Sequence, residues 1–284
     1  MILFIFIIIL SAIVILYNLI IHSDWNYYKN EDETIFDGIS NVPIFTYTPP
    51  NLPDDAPIFF VIHGANKTAN SYRDYCKSLA DEFQAMIVAP LFDYKSYSKG
   101  GTGKPNTWSF SNATILFDKI AGKRDYFLIG HSGGSQFIDR YIVKEKSNVK
   151  GIIMANAGTY AFPKMTWDWP YGYGNATPSI DLIQVCERIF KIPTVIYLGE
   201  QDTKHDAEQG VLDSSLEANL QGLYRFARGE NYFEFCQSVA LENNMEFNWI
   251  KLTSPGIGHN APKMFNNEQM KNAIKYCKNH KNEN

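Results

Sequence analysis

Three short stretches of this chain carry residue types that together perform nucleophilic acyl transfer. The first is Gly130-His131-Ser132-Gly133-Gly134, set between the apolar run Tyr126-Phe127-Leu128-Ile129 and a helix-like stretch from Gln136 to Lys144. A serine on a tight strand-to-helix bend has an exposed hydroxyl. Its small neighbours let the bend close and a substrate approach. Such a hydroxyl needs a base to take its proton, an acid to orient that base, and donors for the oxyanion. The base candidate is His259, in Pro255-Gly256-Ile257-Gly258-His259-Asn260, beyond the strand-like run Phe247 to Leu252. The other histidines fit less well. His22 flanks an N-terminal apolar segment, His131 adjoins the serine and His63 ends another strand-like run. His205 crowds the acid, and His280 lies in a polar tail. The acid candidate is Asp202, after the apolar run Thr194 to Leu198 and the turn Gly199-Glu200-Gln201. A carboxylate just past a strand end is well placed to hold an imidazole tautomer. Asp206, one helical turn on, is its rival, and Glu200 is a weaker one. The third stretch, Ile58-Phe59-Phe60-Val61-Ile62 running into His63-Gly64-Ala65-Asn66, ends in a turn of the kind that presents backbone N–H groups.

These motifs, in the chain order Ser, acid, His, resemble those of the α/β-hydrolase superfamily. More narrowly the chain resembles bacterial poly(3-hydroxybutyrate)-depolymerase-like and feruloyl-esterase-like serine hydrolases, from about Pro57 to Phe265. That resemblance also rests on Asn70-Ser71-Tyr72-Arg73-Asp74, Ile87-Val88-Ala89-Pro90-Leu91-Phe92-Asp93 and Ala155-Asn156-Ala157-Gly158-Thr159-Tyr160. Pro170-Tyr171-Gly172, Gln209-Gly210, Arg228-Gly229 and Phe247-Asn248-Trp249 complete it. It implies a carboxylester-hydrolase-type activity on a small-molecule or oligomeric ester, with Ser132, Asp202 and His259 as triad. It also implies an oxyanion hole from the N–H groups of Gly133 and Ala65. Asn66 offers a further side-chain donor. The alternatives are an inactive membrane-anchored binding module on the same scaffold, or a thioesterase, peptidase or acyltransferase using the same triad.

The elements that must position these groups alternate. After Pro57, helix signals at 69–83, 111–122, 182–190, 230–243 and 267–277 fall between strand signals at 85–89, 126–129, 149–155, 194–198 and 247–252. Alternation of this kind predicts an α/β fold, a mostly parallel central sheet with helices on both faces. The runs 34–39 and 43–48 are expected to be antiparallel edge strands. Ligands bind beyond the carboxyl ends of the strands, where all three motifs fall.

Residues 1–21 form one apolar run without a charged side chain. That length spans about 30 Å of hydrocarbon as a helix. It predicts a membrane anchor or a signal segment, followed by a linker at 22–32, a catalytic domain at 33–278 and a frayed tail at 279–284. The expected location is outside the cytoplasm, periplasmic or extracellular, tethered by this helix; the alternative is secretion after cleavage. A net charge of −4, with scattered basic residues, argues against a nucleic-acid partner. No His/Cys/carboxylate cluster calls for a metal, no cofactor is implied, and the oligomeric state is not specified. Lys99-Gly100-Gly101-Thr102-Gly103-Lys104 lacks the spacing of a phosphate loop. The aromatic-rich stretch 159–178 offers Trp167 and Tyr171 as lining for a substrate pocket, or a loop packed on its own aromatics. Cys76, Cys186, Cys236 and Cys277 allow up to two disulfides, or serve as buried thiols.

Overall fold

The computed structural model describes residues 33–35, 42–92, 110–204 and 212–280. The chain divides into two units, Met1–Glu33 and Thr34–Asn284. The apolar run 1–21, Asp206, His205, the Gly/Lys stretch 99–104 and the tip of the tail, 281–284, lie outside the described residues. Among the described residues no helix is long and apolar enough to cross a membrane.

The strands are β1 (Glu33–Ile35), β2 (Pro43–Tyr47), β3 (Ile58–Ile62), β4 (Met86–Pro90), β5 (Tyr126–His131), β6 (Gly151–Ala155), β7 (Thr194–Gly199) and β8 (Trp249–Ser254). The helices are α1 (Ala69–Tyr75), α2 (Lys77–Phe83), α3 (Ser111–Ala121), α4 (Gly133–Lys144), α5 (Leu182–Ile189), α6 (Leu216–Gln221), α7 (Arg225–Glu242), α8 (Ala261–Phe265) and α9 (Glu268–Asn279). One eight-stranded sheet runs in the order β1-β2-β4-β3-β5-β6-β7-β8. Strands β3 to β8 pair parallel, and β2 lies antiparallel on β4. Strands β3, β5, β6 and β7 are buried along their whole length. That is why they read as unbroken apolar runs: helices cover both faces. The last strand, β8, is half-buried from Ile250 to Thr253. A core of aromatic rings packs on one face, with Phe60 tilted against Phe117 at 4.6 Å and edge-on to Tyr126.

Register places the chemistry. Ile62 is opposite Gly130, Gly130 opposite Met154, and Gly199 opposite Ser254. The loops that leave β3, β5, β6, β7 and β8 therefore open at one end of the sheet.

The structure departs from the sequence reading in several elements. The expected helix 69–83 is two, broken at Cys76 (φ −96°, ψ −2°), whose N–H bonds to the carbonyl of Arg73. No Pro or Gly stands there. The break accompanies packing, because Cys76 is fully buried. Helix α7 begins at Arg225, not Glu230, and α9 continues to Asn279, anchored by Lys278 Nζ on the carbonyl of Phe83. The tail expected to fray from 279 thus starts beyond a helical residue. All four cysteines are buried free thiols, so no disulfide forms.

Candidate active site

Ser132 stands between β5 and α4 with φ 57° and ψ −118°, a region that costs a non-glycine residue energy. The bend is held from both sides. Its own N–H bonds to the carbonyl of Ala155, and its carbonyl accepts from Gln136 N. Gly134 is required by space: a Cβ there would sit 2.1 Å from the carbonyl oxygen of Ile62. The serine hydroxyl is thus carried out of the sheet by a backbone that cannot relax.

His259 Nε2 lies 2.9 Å from Ser132 Oγ, and His259 Nδ1 lies 2.7 Å from Asp202 Oδ2. These residues leave three different strands and converge on one line. Asp202 is completely buried, whereas the His259 side chain keeps 10% of its surface. The Asp202 turn is tied by its N–H to the carbonyl of Gly199, and Gln201 N donates to Ile257 O in the histidine loop. Glu200, the weaker rival, is engaged elsewhere: its carboxylate accepts from Thr253 Oγ1.

The turn after β3 reaches the same point. A Cβ placed on Gly64 would lie 3.5 Å from Ser132 Cβ, and Lys67 N closes the turn on Gly64 O. Gly133 opens α4, so its N–H belongs to the first turn, which has no intrahelical acceptor. Ala65 and Asn66 are exposed in the turn. Among the described residues there is no cluster of His, Cys, Asp and Glu that could hold a metal.

No family model matches the chain. Among solved structures it superposes on LpqC, a poly(3-hydroxybutyrate) depolymerase from Bordetella parapertussis, with TM-score 0.71 and 25% identity over 82% of this chain and 85% of that one. It superposes on poly(aspartic acid) hydrolase-1 from Sphingomonas sp. KT-1 with TM-score 0.72 and 27% identity, over 85% and 96% of the two chains. An S-formylglutathione hydrolase from Agrobacterium tumefaciens, 14% identical with TM-score 0.56 over 88% and 94%, shares the fold alone. In sequence, the chain is 28% identical over 163 residues to protein phosphatase methylesterase 1 of Debaryomyces hansenii, across 50% of this chain and 42% of that protein. It therefore spans less than half the length of that relative. The parallel sheet, the elbow serine and these neighbours agree. This chain has the α/β-hydrolase fold.

The α/β-hydrolase site is braced by residues whose part cannot be read from motif spacing. Asn156, fully buried with φ 46°, follows β6. Its Oδ1 accepts from Gly199 N at 2.8 Å, and its Nδ2 donates to Gly258 O at 3.3 Å. One amide therefore joins the end of β7 to the loop that carries His259. His131, beside the serine, lies under His259, the ring centroids 4.7 Å apart. Tyr72 Oη meets His131 Nδ1 at 2.9 Å and lies against the Gly64 turn. Burial foremost, then the nearby His259 and Arg225, hold the His131 imidazole well below its usual range, so this ring stays neutral. His63 is likewise pushed down to about 4 by burial, and its Nδ1 meets Gly64 O at 2.7 Å. Asp202 is also faced by Arg225, whose Nη1 lies 3.4 Å from Oδ1.

The stretch 156–178 is anchored from below. Arg140 Nη1 donates to Thr159 O, and Nη2 to Thr159 Oγ1 and Pro170 O. Asp139 accepts from Ala161 N, Tyr232 Oη and Arg140. Of the two residues expected to line a pocket, Trp167 packs 5.2 Å from Phe162 with Lys164 Nζ over its ring. Tyr171 Oη donates to Asp213 and receives a bond from Ser215 Oγ. Their contacts are thus with this stretch and the segment before α6.

Proposed function

We propose that this protein is a serine hydrolase that cleaves a carboxylic ester through an acyl-enzyme. The observation that carries the reading is the continuous line Ser132–His259–Asp202 on a strained elbow. His259 Nε2 takes the Ser132 proton as Oγ attacks the ester carbonyl. Asp202 fixes the Nδ1–H tautomer and balances the imidazolium. The N–H groups of Gly133 and Ala65 receive the oxyanion; one such donor is worth ~3 kcal/mol of barrier. His259 then protonates the leaving alkoxide, and water activated by the same ring releases the acid.

The ester reading draws on relatives whose names denote a polyester depolymerase and a methylesterase. A poly(aspartic acid) hydrolase among the neighbours makes a backbone amide the second substrate class to test. Trp167 and Tyr171, each partly exposed on the stretch after β6, are proposed to contact the acyl or leaving group. The apolar run 1–21 is proposed as a membrane tether holding the catalytic unit outside the cytoplasm.

Ser132→Ala should abolish hydrolysis of a short p-nitrophenyl ester and covalent labelling by a fluorophosphonate, while circular dichroism stays that of the wild type. A wild-type chain that takes no label at Ser132 would instead be a binding module. Asp202→Asn should lower kcat by about 10⁴ through the wrong tautomer. If Asp206→Asn alone is crippling, the acid is assigned to the wrong residue.

A further inference from the structure

The two oxygens of Asp202 face different groups. Oδ2 meets His259 Nδ1 at 2.7 Å; Oδ1 meets the guanidinium of Arg225 at 3.4 Å. Neither partner of the second pair sees solvent to any extent: Arg225 keeps 3% of its side-chain surface and Asp202 none. A carboxylate stripped of water tends to take up a proton or turn toward another donor unless a cation compensates. A rotated Asp202 could not accept from His259 Nδ1–H. Arginine is the suitable cation because it stays charged when buried. Burial works against the Arg225 charge, and Asp202 supports it in return.

The backbone repeats the side-chain contact. Arg225 is the first residue of α7, and the next N–H, Phe226, donates to the carbonyl of Asp202 at 3.2 Å. The helix is itself pinned by Arg228, whose guanidinium donates to the carbonyls of Gly222, Gly158 and Asp213. One helix end therefore grips both the main chain and the carboxylate of the acid. Among the described residues, the charged and titratable groups around this pair include His259 and, behind it, His131; Tyr160 near Asp202; and Arg228 one turn along α7.

We infer that Arg225 is a positioning residue of the reaction, holding the Asp202 carboxylate aimed so that His259 keeps the tautomer that accepts the serine proton. The inference rests on the hydrolytic reading of Ser132, His259 and Asp202. It differs from a packing role in one respect: the work of Arg225 passes through the charge of Asp202, so it must vanish when that charge is removed.

A double-mutant cycle on the full chain reads this directly, with kcat and KM measured on p-nitrophenyl acetate. Arg225→Gln should lower kcat about 10- to 100-fold and leave KM within about twofold, the size expected of a displaced catalytic group. Arg225→Lys, which keeps a cation, should stay within about fivefold of wild type. In an Asp202→Asn background, adding Arg225→Gln should cost less than about twofold. Equal losses in the two backgrounds overturn the inference, as does wild-type kcat in Arg225→Gln. If Arg225→Gln does not fold, Arg225→Lys decides: a folded lysine variant as slow as Asp202→Asn overturns it, and one near wild type supports it. If the wild-type chain hydrolyses no ester, the hydrolase reading falls. The rate of fluorophosphonate attachment to Ser132 across the same four proteins then reads the coupling, additive rates overturning it.

Discussion

Replacing Asn156 should loosen the triad without touching any of its three members. Asn156→Ala removes an acceptor 2.8 Å from the buried Gly199 N and a donor 3.3 Å from the O of half-buried Gly258. The orphaned Gly199 N–H costs about 1–3 kcal/mol, and the longer, weaker bond about 0.5 kcal/mol. Alanine at φ 46° adds about 1 kcal/mol, because asparagine tolerates the left-handed region better. The sum is roughly 2.5–4.5 kcal/mol. For a domain of this size each kcal/mol moves Tm by about 2–4 °C, so a fall of roughly 5–18 °C is expected. Asn156→Gly separates the contributions: it relieves the backbone but loses both bonds, and should recover about 1 kcal/mol of the loss. In either variant the acid strand and base loop are no longer joined. A misplacement near 1 Å costs up to about 100-fold, so kcat should fall at least tenfold. Urea denaturation and ester kinetics on the three proteins check this. If Asn156→Gly melts within about 1 °C of wild type and keeps its kcat, the clamp carries neither stability nor alignment, and the reasoning fails.

Tyr72→Phe removes the hydroxyl at His131 Nδ1, leaving a buried ring nitrogen unpaired; a loss of about 1–2 kcal/mol in urea denaturation and a kcat reduced several-fold are expected. His63 gives stability a pH dependence of known sign. Its folded pKa of about 4 lies below the unfolded 6.5, so the unfolded chain takes a proton that the folded one refuses. The stability it contributes is complete above pH 6.5 and is lost as pH falls toward 4, about 3 kcal/mol in all. Denaturation at pH 7 and pH 4.5 should therefore show a smaller acid loss in His63→Gln than in wild type; equal losses would place the effect elsewhere.

The parallel strands were legible because full burial on both faces writes them as unbroken apolar runs, Ile58 to Ile62 and Thr194 to Leu198 among them. The bend at Ser132 and the turn at Asp202 follow such runs, whereas His259 follows β8, which is half-buried and mixes polar with apolar residues. Helix α7 was read five residues late because its first two turns bury Arg225 and Arg228, polar side chains that hide the apolar period. Helices α6 and α8 span six and five residues, too short for periodicity to show. Asn156, Tyr72, His131 and Arg225 carry no signal of their role in spacing, since each acts on a residue brought near only by the fold. His131 belongs to the elbow stretch by sequence, and its ring lies against that of His259.

Ser132 and His259 are 127 residues apart, and the strand order gives that separation a kinetic meaning. The serine sits on β5 in the middle of the sheet, but the base depends on β8, the last strand at one edge. A nascent or partly refolded chain can therefore hold a finished elbow and acid strand and still be silent, because no base exists until the edge has docked. Loss of the edge alone, with the centre intact, extinguishes the site as completely as global unfolding. On the proposed hydrolytic reading, the return of turnover during refolding reports the docking of that edge.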